Sequence, residues 1–137
     1  MTVVCSSTGI VVARFVDGRK IKGVTHDFAA NKPEFHVFER GDDSKQAQPV
    51  SIKDLKAVFF VKTYEGDKDH LEYKLFDRTN VQARKIFVRF EDGEFMVGFT
   101  VGYNPDKQGF FLTPADPESN NSRIYIVNEA VDHIKWL

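Results

Sequence analysis

Apolar and polar residues alternate along two stretches of the chain that lie 75 positions apart. The apolar positions are Val11, Ala13 and Phe15 in the first stretch and Ile86, Val88 and Phe90 in the second. A period of two is typical of a β-strand with one buried face. The pattern therefore predicts a strand at each stretch.

An Asp-Gly pair follows each stretch, at Asp17-Gly18 and Asp92-Gly93. Asp-Gly between two alternating runs predicts a β-hairpin with both residues in a type I′ turn. The second strands are predicted at residues 20–25 and 95–100. Gly23 and Gly98 lie inside them and indicate a bulge or a tight bend.

The remaining predicted elements recur in the same order in both parts of the chain. A loop (26–34 or 101–109) precedes a third strand, and a second loop (39–48 or 113–121) precedes a fourth. One tight 3₁₀ turn, at 53–55 or 128–130, then leads into a fifth strand. These strands are predicted at 35–38, 49–52 and 56–62, and again at 110–112, 122–127 and 132–137.

An internal repeat covers nearly all of both parts. Its offset is 75 up to the third strand and 76 from the fourth strand onward. Eight positions are identical at the first offset: Arg14/Arg89, Phe15/Phe90, Asp17/Asp92, Gly18/Gly93, Gly23/Gly98, Thr25/Thr100, Lys32/Lys107 and Phe35/Phe110. The repeat predicts a mostly β protein of two tandem five-stranded SH3-like (Sm-like) barrels, related by internal duplication and packed together. We expect the barrels at 1–62 and 83–137, joined by a linker at 63–82 that holds either a short helix (68–76) or an ordered loop.

The motif V-x-x-F-x-D-G-x-x-x-x-G-x-T, at Val12–Thr25 and in a close variant at Phe87–Thr100, resembles the first motif of Sm-like proteins. That resemblance implies the barrel. The Asp and Asn of the Sm-like RNA site, in a short second loop, have no matching arrangement in loops 26–34 and 101–109. Lys56-Ala57 and Asp132-His133 stand where Sm-like proteins carry Arg-Gly.

The whole chain resembles a family of uncharacterised bacterial tandem-barrel proteins. The resemblance lies in three segments: Ala57-Val58-Phe59-Phe60-Val61-Lys62 with Glu65-Gly66, Gly109-Phe110-Phe111-Leu112, and Pro114-Ala115-Asp116-Pro117 with Ser119-Asn120-Asn121. It implies a soluble bacterial protein and brings no activity with it.

Composition narrows the function classes. The 137 residues carry a formal net charge of −1, which argues against a strong non-specific polyanion binder. Cys5 is the only cysteine, so no intramolecular disulfide forms and a reducing compartment is expected. We read neither a signal peptide nor a membrane span from the sequence and expect a cytoplasmic protein.

Catalytic signatures are missing from the sequence, so we expect a protein that is not an enzyme. The four histidines lack the paired spacing of zinc ligands, and we expect neither a metal nor a cofactor. The acidic pairs fall in predicted loops, where solvated charges are ordinary.

Candidate binding residues lie on the first hairpin and on the loops. They are Arg19, Lys20, Lys22, Phe28, Lys32, Tyr103, Lys107, Asp116, Asn120, Asn121 and Arg123. An aromatic ring beside a lysine can stack a base or grip a peptide. The alternative is that Phe28 and Tyr103 plug their barrels and that the Asx side chains cap their own loop.

Three functions remain open at this point. The first is a non-enzymatic binding or scaffold module for a protein or peptide partner. The second is an Sm-like protein that binds single-stranded nucleic acid through the basic hairpin and loop of the first copy. The third is an enzyme or small-ligand site between the barrels. The sequence leaves monomer and homo-oligomer open.

Overall fold

The computed structural model describes residues 7–41, 46–62, 83–116 and 119–137, which form one ten-stranded antiparallel sheet. The mostly β class is as predicted. The strands are β1 (Ser7–Phe15), β2 (Lys20–Phe28), β3 (Glu34–Glu39), β4 (Gln48–Ser51), β5 (Leu55–Val61), β6 (Arg84–Phe90), β7 (Phe95–Thr100), β8 (Gly109–Pro114), β9 (Asn121–Val127) and β10 (Val131–Trp136). Single 3₁₀ turns at Ile52–Asp54 and Asn128–Ala130 precede β5 and β10.

The strand order is β10-β6-β7-β8-β9-β5-β1-β2-β3-β4. The first half of the chain (β1 to β5) and the second half (β6 to β10) therefore follow the same order. They join where β5 pairs with β9, from Ala57 opposite Ile126 to Val61 opposite Asn121. One edge of the sheet is β10 and the other is β4.

The hairpin turns differ from the predicted type I′ turn. Gly18 donates its N–H to the carbonyl of Phe15 at 3.1 Å, and Phe15 donates to the carbonyl of Arg19 at 2.8 Å. Val16 and Asp17 are therefore the central residues of the turn, and Gly18 follows with φ at +97°. This is the three-residue loop that ends in a glycine bulge. Gly93 repeats it, with φ at +92°.

Gly23 and Gly98 sit where two strands approach closely, and the β-bulge predicted as one alternative does not occur there, since the strand register is continuous through both glycines. A Cβ on Gly23 would lie 2.1 Å from the carbonyl oxygen of Phe38, and one on Gly98 would lie 2.2 Å from that of Thr113. Backbone contact this close excludes any side chain. The two glycines therefore permit the β2–β3 and β7–β8 contacts.

The strand limits correct one sequence prediction. β2 runs to Phe28, so His26, Asp27 and Phe28 belong to a strand and not to the predicted loop. Asp27 and Thr25 bond the backbone of His36 on β3, which extends the ladder. The helix predicted at 68–76 lies outside the described residues.

Two hydrophobic clusters form the interior, and they share a wall. On β5, Val58 and Phe60 belong to the first cluster, whereas Ala57 and Phe59 belong to the second. β9 alternates in the same way, with Tyr125 in the first cluster and Ile124 in the second. Because side chains alternate across a strand, β5 and β9 are buried on both faces.

Candidate functional site

A groove with a volume of about 690 Å³ lies between the two halves. We call it the inter-half groove. The first half contributes Pro33, Glu34, Ser51, Ile52 and Lys53, and the second half contributes Pro105, Asp106, Lys107, Gln108, Val127, Asn128 and Glu129. The groove therefore exists only because β5 and β9 hold the halves together.

Side-chain amides fix the loops around this groove. Gln108 reaches across the halves and donates to the carbonyls of Ala30 and Lys32 at 2.7 and 2.8 Å. Asn128 donates to the carbonyls of Asn104 and Lys107 at 3.0 and 2.8 Å. Each amide ties two backbone carbonyls, so the walls are set before any ligand arrives.

The buried ring of Tyr125 supports the same wall from behind. Its hydroxyl donates to the carbonyl of Ala30 at 3.3 Å. Burial raises the pKa of this phenol, so it remains a neutral donor at physiological pH.

The charges that line the inter-half groove are of both signs. Glu34, Asp106 and Glu129 stand against Lys53 and Lys107. The prolines, Ile52 and Val127 add apolar surface between them. The lining therefore combines charges of both signs with apolar patches.

A second groove, the basic groove, has a volume of about 440 Å³ and lies along the first hairpin. Its basic side chains are Arg14, Lys20 and Lys22, beside the apolar Phe59 and Val61. No carboxylate lines it among the described residues. Arg14 also pairs with Glu94 at 3.3 Å, and both side chains are about two-fifths exposed.

Arg19 turns away from this groove and back onto its own hairpin. Its Nε bonds the carboxylate of Asp17 at 2.8 Å, and its guanidinium lies 4.6 Å from the centre of the Phe15 ring. The structure thus brings Lys20 and Lys22 together and leaves Arg19 outside the groove.

Lys56 links the halves electrostatically. Its side chain is only 5% exposed, and the ammonium group bonds Asp92 at 2.7 Å and also contacts Glu94. It lies 4.7 Å from the centre of the Phe90 ring. The hydrogen bond from Lys56 leads the causes that lower the pKa of Asp92.

The two predicted aromatic candidates have different surroundings. Phe28 is fully buried, in ring contact with Phe60 and Tyr125, so its ring offers no face to a ligand here. Its partner in the repeat, Tyr103, is half-buried. Lys32 is exposed, and Lys107 lines the inter-half groove.

The polar residues before and within β9 differ in their burial and contacts. Asp116 is only 5% exposed, and Asn120 accepts the N–H of Lys62 on its carbonyl. Asn121 lines the basic groove. The Arg123 guanidinium lies 4.4 and 4.5 Å from the ring centres of Phe60 and Phe111, and burial lowers the pKa of Arg123.

Sequence reasoning missed Gln108 and Lys56. Gln108 falls in a loop, where one amide among many polar residues carries no signal. Lys56 lies within the otherwise apolar run of residues 55–61. A lysine inside such a run indicates that its ammonium group has a partner there.

The described residues hold no group of three His, Cys, Asp or Glu side chains that could bind a metal ion. No helix in the described part of the chain is long and apolar enough to cross a membrane.

Comparison with known proteins gives a family and no activity. No curated protein and no solved structure matches the chain significantly. A family profile matches residues 7–137, nearly the whole chain. The protein therefore belongs to a family of unknown function, DUF6982.

Proposed function

We propose that the protein is a non-enzymatic binding module that holds a protein or peptide partner in the inter-half groove. The observation that carries this proposal is the groove itself, about 690 Å³ and built from loops of both halves. Its volume and mixed lining suit a short peptide segment. The sequence lacks a catalytic signature, which is consistent with a binding role.

We further infer that each half is an SH3-like barrel and that the halves arose by duplication. Repeated contacts support this reading. Thr25 donates to the carbonyl of His36 at 2.8 Å, and Thr100 donates to that of Phe111 at 2.8 Å. The N–H groups of Ile52 and Asn128 bond the carbonyls of Pro33 and Gln108, respectively, at 2.9 and 3.0 Å.

A displayed random-peptide library, selected on the immobilised full chain, tests the binding role. We expect selected peptides to bind in calorimetry. Glu34→Lys with Glu129→Lys should weaken them about tenfold, which corresponds to about 1.4 kcal/mol. Glu39→Lys is the matched control, because Glu39 is exposed and does not line the groove.

Two results would count against the proposal. One is a selection that yields no peptide above background. The other is a set of peptides that bind the double variant and the wild type equally well.

The basic groove favours a second candidate function, the binding of single-stranded nucleic acid. Arg14, Lys20 and Lys22 line this groove beside the half-buried Val12 and Val61, without a carboxylate in the described part of the lining. A positive groove with an aromatic ring is the general form of single-strand sites. Phe59 is only 7% exposed, however, so stacking on it is restricted.

Fluorescence anisotropy with labelled single strands at two salt concentrations separates the candidates. Nucleic-acid binding predicts salt-sensitive affinity that falls in Lys20→Ala and Lys22→Ala. An unchanged anisotropy at low salt removes this second candidate.

A further inference from the structure

Three aromatic rings meet at the centre of the first half. Phe28 contacts Phe35 and Phe60 with ring centres 5.1 and 5.3 Å apart. Two rings of the second half cover this first trio: Phe111 lies 6.0 Å and Tyr125 lies 5.1 Å from Phe28. All three rings of the trio are at most 4% exposed as a result.

The repeat places the same trio in the second half. Tyr103, Phe110 and Trp136 stand at the positions of Phe28, Phe35 and Phe60. Tyr103 contacts the other two with ring centres 4.9 and 5.7 Å apart, again edge to face. Here Tyr103 is half-buried and Trp136 is 37% exposed. A depression of about 220 Å³, lined partly by Tyr103 and Ile134, lies beside this second trio.

β5 beside the first trio and β10 beside the second trio also differ in their strand partners. On β5, Val58 lies opposite Tyr125 of β9 and Phe60 lies opposite Arg123. Their counterparts on β10 are Ile134 and Trp136, and β10 is the outermost strand.

The backbone of β10 presents its hydrogen-bonding groups outward at these two residues. The N–H of Leu137 bonds the carbonyl of Lys85 on β6 at 3.0 Å. Backbone groups alternate sides along an antiparallel strand. The N–H and C=O of Ile134 and Trp136 therefore point away from β6, which makes a ready edge for an added strand.

A second copy of the chain is poorly suited to fill this place. The repeat would bring β4 against β10, with Pro49 at the position of Tyr125. His36, opposite Pro49, directs its N–H to Asp27 and its carbonyl to Thr25, away from β4. Pro49 therefore faces the free edge, and it has no N–H to donate.

We propose that the β10 edge and the second trio bind an extended strand of a partner protein, as β5 and the first trio bind β9. The partner strand carries an aromatic residue opposite Ile134 and pairs antiparallel with β10. This inference rests on the proposed function, since it names a second site for a protein partner.

The residues of β10 on either side of Ile134 indicate what the opposite face of the partner strand carries. Ala57 and Phe59 of β5 pack into the second cluster, whereas His133 and Lys135 stand at their positions on β10 and are exposed. The partner strand therefore presents polar or acidic residues on this side and apolar residues toward the trio.

The chain offers its own probe and reporter. A synthetic peptide with the sequence of β9 (Asn121–Val127), flanked by lysines for solubility, carries the pattern that covers the first trio. In this peptide Ile124→Glu and Ile126→Glu place acidic residues on the face toward His133 and Lys135. Trp136 is the only tryptophan, so its emission reports the site directly. We expect the emission to shift to shorter wavelength as the peptide is added, with saturation in the micromolar range.

Two control peptides make the test specific. Tyr125→Ser in the peptide removes the ring and should weaken binding about tenfold or more. Tyr125→Pro removes the N–H that faces Ile134 and should weaken it similarly. Unchanged Trp136 emission, or equal binding of all three peptides, would overturn the proposal.

Light scattering on the wild-type chain tests the alternative occupant. We expect a monomer at high concentration, and self-association lost in Trp136→Ala would mean that a second copy fills the site. The Glu34→Lys, Glu129→Lys variant, which is damaged only in the inter-half groove, should bind the β9 peptide as the wild type does. A failure of the β9 peptide to bind at β10 can therefore be told apart from a failure of peptides to bind in the inter-half groove.

Discussion

β5 and β10 occupy the same place in the two halves and have opposite surroundings. β5 lies between β1 and β9, and six of its seven residues are buried. Among the described strands β10 lies beside β6 alone, and none of its six residues is buried. The residue types match this difference in surroundings: where β5 has Ala57 and Phe59, β10 has His133 and Lys135. The burial of these two equivalent strands thus follows from their position in the sheet.

Matched truncations at Phe60 and Trp136 give the largest expected contrast. Phe60→Ala removes a ring that is 4% exposed and should cost about 3–5 kcal/mol of unfolding free energy. Trp136→Ala removes a ring that is 37% exposed and should cost about 1–2 kcal/mol, since less apolar area is lost.

Urea unfolding followed by circular dichroism measures both costs, because Trp136 is the only tryptophan. Equal costs would mean that β5 and β10 are equally buried.

Substitutions at Gly23 and Gly98 should cost similar free energies of unfolding, unlike the truncations at Phe60 and Trp136. Gly23→Ala and Gly98→Ala each place a Cβ against a carbonyl oxygen, at 2.1 and 2.2 Å, so β3 or β8 must move away. We expect each to cost about 1–3 kcal/mol. A melting temperature that is unchanged in either variant would contradict the close approach described for that half.

Lys56 should give a smaller effect that depends on pH. Lys56→Met keeps the contact with Phe90 and leaves Asp92 and Glu94 half exposed, so at neutral pH it should cost less than about 1 kcal/mol. The pKa of Asp92 in the folded protein lies below its usual 3.8. The ion pair therefore stabilises the fold above pH 3.8, and this contribution is lost as the pH falls through the folded pKa.

The wild type should therefore lose more stability than Lys56→Met between about pH 5 and about pH 3. Denaturant titrations at a series of pH values test this, and parallel profiles would show that Lys56 does not hold Asp92.

The hairpin lysines should have the smallest effect on stability. Lys20→Glu with Lys22→Glu changes side chains that are exposed or half-exposed, so the unfolding free energy should stay within about 0.5 kcal/mol. The second half carries Phe95 and Val97 at these positions, so Phe95→Glu is the informative partner. Phe95 stacks on Phe87 with ring centres 5.5 Å apart, and its loss should cost more than the lysine reversal.

The strands were predictable because their signals are local. Alternation marked β1 and β6, and Asp-Gly marked both hairpins within a residue of the true turn. The pairing of β5 with β9 was not predicted, because strands far apart in sequence carry no local mark of their partner. One hint existed: residues 57–61 and 124–127 are continuous apolar runs, typical of strands buried on both faces.

The candidate site was predicted only in part. Lys20 and Lys22 lie together as expected for neighbours on one hairpin strand. Phe28 was offered as a ligand contact and is buried, because rings of the other half cover it. The inter-half groove depends on long-range pairing of β5 and β9, so it could not be read from sequence.

Amide hydrogen exchange at four residues tests most directly whether equivalent edges are covered in one half and open in the other. The N–H groups of Val58 and Phe60 face β9 and should exchange at rates near those of global unfolding. Those of Ile134 and Trp136 face outward from β10 and should exchange far faster. Comparable protection at all four amides would contradict the contrast between β5 and β10.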